Sequence, residues 1–310
     1  NSSNKLIIVT SKYHFSTIGK LICTATCDNQ ILKDNILLPS KVDVFENASY
    51  LLSYKNSITN VIHIDEMQNM PEILLPFEDP RATLHIFEEE KDTVIALLSS
   101  IAQTYEVSIN VVTLINQWQR VDVGSKKYGN ISKFLTASKN LMPKKLIVAS
   151  NIIDYIIDTL SHENKTVSFA ESCTGGLLTY NFTKRNGASK ILNGSLITYS
   201  NSLKENWLGV KNDTLEKNGA VSSEVVYEMS DGVMNVSESD YSISVSGIAG
   251  DTGGTIDKPV GTVYIGARTK NTSQAIHLEL NGDRNHVQET SVLFAIKMLL
   301  LIDKDMFFKI

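Results

Sequence analysis

The feature that most constrains this chain is the run at residues 167–178, where apolar residues lead into a short polar turn, two glycines and a second apolar segment. This pattern predicts a strand, a tight turn and a helix in immediate succession. Amides in the first turn of a helix are unpaired and lie at the positive end of its dipole, so they favour an anion. Ser172 is therefore a candidate nucleophile. The candidate donors to its oxyanion are the backbone amides of Cys173, Thr174, Gly175 and Gly176.

An ordinary structural role explains the same pattern. A serine or threonine often caps the first turn of a helix, and glycines allow a helix and a strand to pack closely. The turn by itself therefore leaves a nucleophile and a helix cap as open alternatives.

Length and charge limit the classes of function. The chain has 310 residues, which is enough for two domains with separate cores. Its 29 basic and 34 acidic residues give a formal net charge of -5, and no block is rich in lysine or arginine. This argues against a nucleic-acid partner and favours a small-molecule substrate. We also expect the chain to form a homo-oligomer.

The length of the apolar runs and the number of cysteines indicate the cellular compartment of the protein. No apolar run reaches the roughly 18 residues that a membrane span needs, and the first residues do not resemble a signal peptide. Cys23, Cys27 and Cys173 are too sparse for a disulfide framework, and no neighbouring histidine or cysteine completes a metal site. We therefore expect a cytoplasmic protein without a membrane partner, a metal ion or a cofactor.

The two halves of the chain differ in glycine content. Only Gly19, Gly124 and Gly129 precede residue 150, so the first half holds no nucleotide through a glycine-rich loop. Alternating patterns there predict strands at 5–10, 60–64, 83–87 and 107–114, and a helix at 89–105. The chain turns polar and lysine-rich at 126–145, with Pro143 as a breaker, so we place the domain boundary there. We therefore predict two α/β domains, residues 1–147 and residues 148–310, the first serving as scaffold, dimerisation or regulatory domain.

A second candidate group follows a predicted strand that ends at Ser200. Ser202 and Glu205 have the spacing of a capping box, which places Lys204 in the first turn of a short helix that stops near Gly209. A lysine there is opposed by the helix dipole, and burial would disfavour its charged form further, so it would become a base. Tyr199 could relay the proton. The alternatives are a solvated lysine and a tyrosine that only packs.

A third group has the composition of an anion site. A predicted strand at 241–246 leads into a loop with four glycines in eight residues, which can wrap amides around an anionic group or can simply turn. Arg284, near the start of a long apolar helix, suits a phosphate or carboxylate, or else a surface ion pair with Asp283 or Glu289. The candidate substrate-binding residues of the loop are Gly250, Thr252, Gly253, Gly254 and Thr255.

Seven segments, in order, resemble the C-terminal domain of the CinA family. They are residues 170–176 (AESCTGG), 199–201 with Lys204, 208–210 (LGV), 219–222 (GAVS), 247–250 (GIAG), 258–263 (KPVGTV) and 282–284 (GDR). The resemblance covers residues 148–310 and implies a three-layer α/β amidohydrolase domain. It also implies hydrolysis of the carboxamide of nicotinamide mononucleotide to nicotinic acid mononucleotide and ammonia. In that reaction Ser172 would be the nucleophile, and Lys204 and Tyr199 its activating partners.

The sequence departs from the family at two positions. Asp251 stands where family members usually have proline, and Gln288 stands where they have a second arginine. Both changes weaken the case for tight phosphate binding. A catalytically silent nucleotide-binding or protein-interaction module, and an amidase for another small carboxamide, therefore stay open as alternatives. Residues 1–147 lack the glycine-rich signature of the molybdopterin-binding-like domain that often precedes this one, so they are a diverged remnant of it or an unrelated domain.

Overall fold

The computed structural model describes residues 5–46, 48–55, 57–64, 71, 73–74, 81–125, 128–250 and 252–309. The chain divides into two compact units, Asn1–Glu78 and Asp79–Ile310. Both units mix helices with sheets, as the α/β prediction requires. Within the described ranges, none of the helices has the length and hydropathy needed to cross a bilayer.

The first unit combines a four-stranded sheet, a hairpin and one helix. Its elements are β1 (Lys5–Thr10), α1 (Lys12–Thr26), the hairpin of β2 (Gln30–Lys33) and β3 (Ile36–Pro39), and then β4 (Val42–Glu46), β5 (Ser49–Tyr54) and β6 (Ser57–His63). The sheet order is β1-β6-β5-β4, with only the β1 and β6 pair parallel. Phe15 of α1 meets the buried ring of Tyr50 edge-on, so the helix covers one face of the sheet.

The second unit begins with an antiparallel sheet. Its elements are β7 (Arg81–Phe87), α2 (Lys91–Thr104), β8 (Val107–Ile115), β9 (Trp118–Ser125), α3 (Ile131–Leu141) and β10 (Leu146–Val148), in the sheet order β10-β7-β9-β8. This is the split βαβ arrangement. The strands predicted at 83–87 and 107–114 and the helix at 89–105 are confirmed. The polar stretch at 126–145, where the sequence placed the domain boundary, contains α3, which buries Phe134 and Ser138 and exposes most of its other polar residues.

The rest of the second unit forms three layers. Its elements are α4 (Ile152–His162), β11 (Val167–Glu171), α5 (Leu177–Thr183), a 3-10 turn (Ala188–Lys190), β12 (Leu192–Ile197), α6 (Asn201–Leu208), α7 (Asn212–Asn218), α8 (Ser223–Ser237), β13 (Tyr241–Gly247), β14 (Thr262–Thr269), β15 (Ser273–Glu279), α9 (Arg284–Leu301) and α10 (Lys304–Phe307). The sheet order is β12-β11-β13-β14-β15, and β11 runs parallel to both of its neighbours. Phe169 packs with α4, α5 and α9, whereas Ala170 packs with α6 and α8, so helices cover both faces.

One hydrophobic core joins the two sheets of the second unit. Phe87, Ile115 and Trp118 lie in the same cluster of buried side chains as Ile156 and Phe308. The rings of Phe87 and Phe308 meet edge to face, with centroids 5.5 Å apart. Residues 81–147 therefore share a compact unit with residues 148–309, and the division at Glu78/Asp79 differs from the boundary drawn at 147/148 from the sequence.

The buried His85 on β7 predicts a specific sensitivity to acid. Its Nδ1 accepts a hydrogen bond from the indole N–H of Trp118 at 3.2 Å, and burial lowers the pKa of His85 to about 4. An unfolded histidine has a pKa of about 6.5, so the unfolded chain binds more protons than the folded chain between these values. We expect His85 to contribute a loss of about 3 kcal/mol in the free energy of unfolding between pH 7 and pH 4.

His85→Gln is the matched control for this prediction, because its side-chain oxygen can still accept the Trp118 hydrogen bond but does not titrate. Urea unfolding measures the free energy of unfolding of both proteins at pH 7 and pH 4. The difference between the two proteins gives the contribution of His85, because the carboxylates titrate in both. An equal loss of stability in the two proteins would contradict the prediction.

Candidate active site

The turn between β11 and α5 places Ser172 at the carboxyl end of a central strand. β11 is buried over its whole length, and α5 starts directly after Gly176. Gly175 (φ 58°) and Gly176 (φ 100°) adopt the left-handed conformation that glycine tolerates best. The predicted strand, turn and helix are thus confirmed. We call residues 172–176 the nucleophile turn, and its Ser172 is 8% exposed and lines a cavity of about 250 Å³.

Lys204 reaches Ser172 directly. Its Nζ lies 3.2 Å from Ser172 Oγ, 2.8 Å from the carbonyl oxygen of Thr198 and 3.4 Å from that of Tyr199. The side chain is 1% exposed, and this burial lowers the pKa of Lys204. A neutral amine has two N–H donors and one lone pair. With both donors directed to carbonyls, the lone pair faces the Ser172 hydroxyl and can accept its proton.

The start of α6 differs from the sequence prediction. Ser200 is the N-cap, and its Oγ accepts a hydrogen bond from the amide of Leu203 at 3.3 Å. The capping box predicted at Ser202 and Glu205 is therefore wrong by two residues, because Ser200 already has the extended conformation of a cap. Lys204 still falls at the end of the first turn, and the predicted end of the helix at Gly209 is confirmed.

Tyr199 lines the cavity, but its side chain is 65% exposed. Its hydrogen bond with Lys204 uses the backbone carbonyl rather than the phenol. Since Lys204 contacts Ser172 without an intermediary, the geometry needs no relay through the Tyr199 hydroxyl. A part for that hydroxyl in the chemistry stays a prediction.

Cys173 is the neighbouring thiol and therefore the rival nucleophile. Burial raises its pKa to about 12, opposed in part by the backbone N–H groups of Cys173 and Thr174. Because the thiolate is the reactive form, a thiol with this pKa is inert near neutral pH. The electrostatics thus favour Ser172.

Only part of the nucleophile turn is free to hold an oxyanion. The amide of Gly175 donates to the carbonyl of Ser172 at 3.1 Å, and the amide of Gly176 donates to the carboxylate of Glu171 at 3.0 Å. The amides of Cys173 and Thr174 have no oxygen acceptor in the described part of the chain. Of the four predicted donors, these two remain candidates, and Cys173 lines the cavity whereas Thr174, Gly175 and Gly176 are not part of the lining.

The glycine loop after β13 contributes less to the cavity than predicted. Thr252 and Arg284 line it, and the Arg284 guanidinium lies so close to Gly250 that a Cβ there would be 2.6 Å from Nη2. Thr255 instead closes a turn with Lys258 through bonds of 2.8 and 3.1 Å. Gly250, Gly253, Gly254 and Thr255 are not part of the lining, and Asp251 lies outside the described residues.

Several functional positions were missed from sequence reasoning. Gln288 on α9 donates from Nε2 to the carbonyl of Cys173 at 2.6 Å, so it supports the nucleophile turn. The further lining residues are Ala220, Val221, Ser246, Gly247, Ile248 and Ala249. Five of these six lie in the segments 219–222 and 247–250 that carry the CinA resemblance, which was the available signal.

Comparison with known proteins agrees with that resemblance. The family model described as the CinA C-terminal domain matches residues 149–302. A CinA-like protein of Fervidobacterium nodosum is 45% identical over 146 residues, which are 47% of this chain and 36% of that protein. A CinA-like protein of Petrotoga mobilis is 29% identical over 297 residues, which are 93% of this chain and 73% of that protein.

Among solved structures, the competence/damage inducible protein CihA from Agrobacterium tumefaciens is 32% identical, with a TM-score of 0.48. That match covers 49% of this chain and 93% of CihA. By contrast, the alignments with the first curated relatives span only 35–38% of those proteins' own length. Residues 149–302 of this chain therefore form a CinA C-terminal domain.

Proposed function

We propose that residues 148–310 hydrolyse the carboxamide of nicotinamide mononucleotide to nicotinic acid mononucleotide and ammonia. The observation that carries this proposal is the contact of 3.2 Å between Lys204 Nζ and Ser172 Oγ, with Nζ also bonded to two carbonyls. The match of residues 149–302 to the CinA C-terminal domain supports the substrate, and so does a cavity with this pair and Arg284 in its lining.

The proposed reaction has two halves. Ser172 Oγ attacks the carboxamide carbon while Lys204 Nζ takes the hydroxyl proton, and the oxyanion accepts hydrogen bonds from the amides of Cys173 and Thr174. The Lys204 ammonium then gives its proton to the carboxamide nitrogen, the C–N bond breaks, and ammonia departs from an ester that stays on Ser172. A water molecule attacks this ester while Lys204 takes its proton, and Lys204 then gives that proton to Ser172 Oγ as the ester bond breaks and the carboxylic acid product leaves.

Arg284 is the proposed partner of the ribosyl phosphate, because a guanidinium binds phosphate with two parallel hydrogen bonds. We expect Arg284→Gln to raise KM for nicotinamide mononucleotide about 10- to 100-fold and to change kcat little, since the phosphate is remote from the reacting bond. Arg268→Gln is the matched control, because Arg268 pairs with Asp231 and is not in the cavity lining.

The test is ammonia release from nicotinamide mononucleotide together with formation of nicotinic acid mononucleotide. The two products should appear in equal amounts. Nucleotide binding without ammonia release would instead identify a catalytically silent binding module. A KM that Arg284→Gln leaves unchanged would remove Arg284 from phosphate binding.

A second candidate is amidase activity on another small carboxamide. Gln288 stands where the resemblance leads one to expect a second arginine, and its amide is engaged with the Cys173 carbonyl. Arg284 thus carries the sole guanidinium among the described lining residues. Phosphate binding is therefore weaker than it would be with two arginines. A kcat/KM for nicotinamide riboside equal to that for the mononucleotide would favour this second candidate.

A further inference from the structure

The carboxylate of Glu171 is held by the first turn of α5. Glu171 is the last residue of β11 and is fully buried. Its Oε2 accepts the amides of Gly176 at 3.0 Å and Leu178 at 3.1 Å, and its Oε1 accepts the amide of Thr179 at 2.8 Å. The carboxylate therefore satisfies three amides at the start of α5, and one of them, the amide of Gly176, had been a candidate oxyanion donor.

Thr179 completes this cage of donors. Its hydroxyl oxygen lies 2.5 Å from Glu171 Oε1 and 2.5 Å from Ser195 Oγ of β12. A hydroxyl has one proton, so Thr179 donates to the carboxylate and accepts from Ser195. No ion pair of Glu171 occurs in the described part of the chain, and the donors together with the helix dipole stabilise the buried charge.

These contacts close a ring around the nucleophile turn. The ring runs along the main chain from Glu171 to Gly176 and returns through the Glu171 side chain. The amide of Ser172 is also bound to the carbonyl of Val245 on β13, at 3.0 Å. Hydrogen bonds thus fix the backbone at Ser172 itself and at Gly176, at the end of the turn. Ser172 Oγ lies 3.2 Å from Lys204 Nζ.

We propose that Glu171 is a positioning residue for Ser172: its buried carboxylate, acting with Thr179, fixes the nucleophile turn so that the serine hydroxyl meets the Lys204 amine. This proposal rests on the serine chemistry of the proposed function, although it does not depend on the substrate. A displacement of about 1 Å at a reacting group lowers a rate about 100-fold, so loss of the ring should reduce the reactivity of Ser172.

The test uses a fluorophosphonate, which reports on Ser172 without any natural substrate. Ser172 Oγ forms a bond to phosphorus, fluoride leaves, and Lys204 takes the hydroxyl proton. In Glu171→Gln an NH₂ group replaces one carboxylate oxygen. This group cannot accept hydrogen bonds from the backbone amides, so part of the ring opens. We expect this variant to react about 10- to 100-fold more slowly than wild type, with kcat reduced similarly and KM within about threefold.

Asn151→Ala is the matched control for the loss of a helix cap. Asn151 caps α4 through the amides of Ile153 and Asp154, at 2.9 and 3.1 Å, and it is not in the cavity lining. We expect it to lower the melting temperature but to leave the rate of Ser172 modification unchanged. A folded Glu171→Gln protein that reacts at the wild-type rate would overturn the proposal, because Glu171 would then serve stability alone.

Thr179 provides a test that does not require Glu171→Gln to fold. Thr179→Val removes the hydroxyl at constant shape and should slow Ser172 modification, whereas Thr179→Ser keeps the hydroxyl and should restore the rate. Equal rates in these two variants would also overturn the proposal. A wild-type chain that reacts with the fluorophosphonate but releases no ammonia from nicotinamide mononucleotide would refute the proposed function alone.

Discussion

Ser172→Ala is expected to lose turnover of nicotinamide mononucleotide by about four to six orders of magnitude while it binds the nucleotide almost normally. The alanine removes the attacking oxygen, but the Cys173 and Thr174 amides and Arg284 do not depend on that side chain. Ammonia release measures turnover, and calorimetric titration measures binding. Turnover at the wild-type level would remove Ser172 from the mechanism.

The rival thiol supplies the control for this experiment. Cys173→Ala should keep most of the activity, because burial raises the pKa of Cys173 to about 12 and the thiol stays protonated. Its stability should fall somewhat, because the thiol is buried in the main core. If Cys173→Ala is inert and Ser172→Ala is active, the nucleophile is the thiolate one residue along the chain.

Lys204→Arg is expected to lose about 100- to 10,000-fold in kcat, close to the loss in Lys204→Met. Burial lowers the pKa of Lys204, so the rate of the wild type should rise with pH along a limb below the roughly 10.4 of a free lysine. Arginine keeps the positive charge but does not lose its proton at these pH values, so it cannot serve as the base. Tyr199→Phe should lose less than either variant.

Near-normal turnover in Lys204→Arg would show that the residue acts as a fixed cation and that another group takes the serine proton. Lys204→Met guards against a misfit of the bulkier arginine, since the Lys204 site is fully buried. Circular dichroism of each variant establishes that it is folded before its rate is compared.

The same lowered pKa has a consequence for stability. Between that pKa and about 10.4, the unfolded chain binds a proton at Lys204 that the folded chain does not, so the free energy of unfolding rises with pH. The free energy of unfolding of the wild type should therefore increase with pH relative to that of Lys204→Met, by up to about 1.4 kcal/mol per pH unit. Parallel stability curves for the two proteins would contradict a lowered pKa at Lys204.

Local sequence specifies the elements in which neighbouring residues set the conformation. The helix at α4, the strand at β11 and the glycine turn after it all follow from apolar spacing and from the two glycines at 175 and 176. The candidate catalytic residues Ser172 and Lys204 were identified because each stands at the junction of a predicted strand and helix, where backbone dipoles act on side chains.

Local sequence failed where an element depends on distant partners. The strands β2–β5 and β9 and the helices α1 and α3 were not predicted, because the burial of their apolar residues depends on packing against elements that are distant in the sequence. The domain boundary was placed at 147/148 because apolar residues resume there after a polar, lysine-rich stretch. Phe87 and Trp118 instead join the core around α4, which pattern alone does not reveal.

The candidate site also combines features that the local sequence specifies with features that only the tertiary structure decides. The residues of the chain specify which chemical groups are present, and the fold selects which of them are usable. Burial of Lys204 against two carbonyls lowers its pKa, and Glu171 takes the Gly176 amide that had been a candidate oxyanion donor. Both effects arise between residues of separate elements, because desolvation and hydrogen bonding depend on distances in space that residue spacing along a chain does not encode.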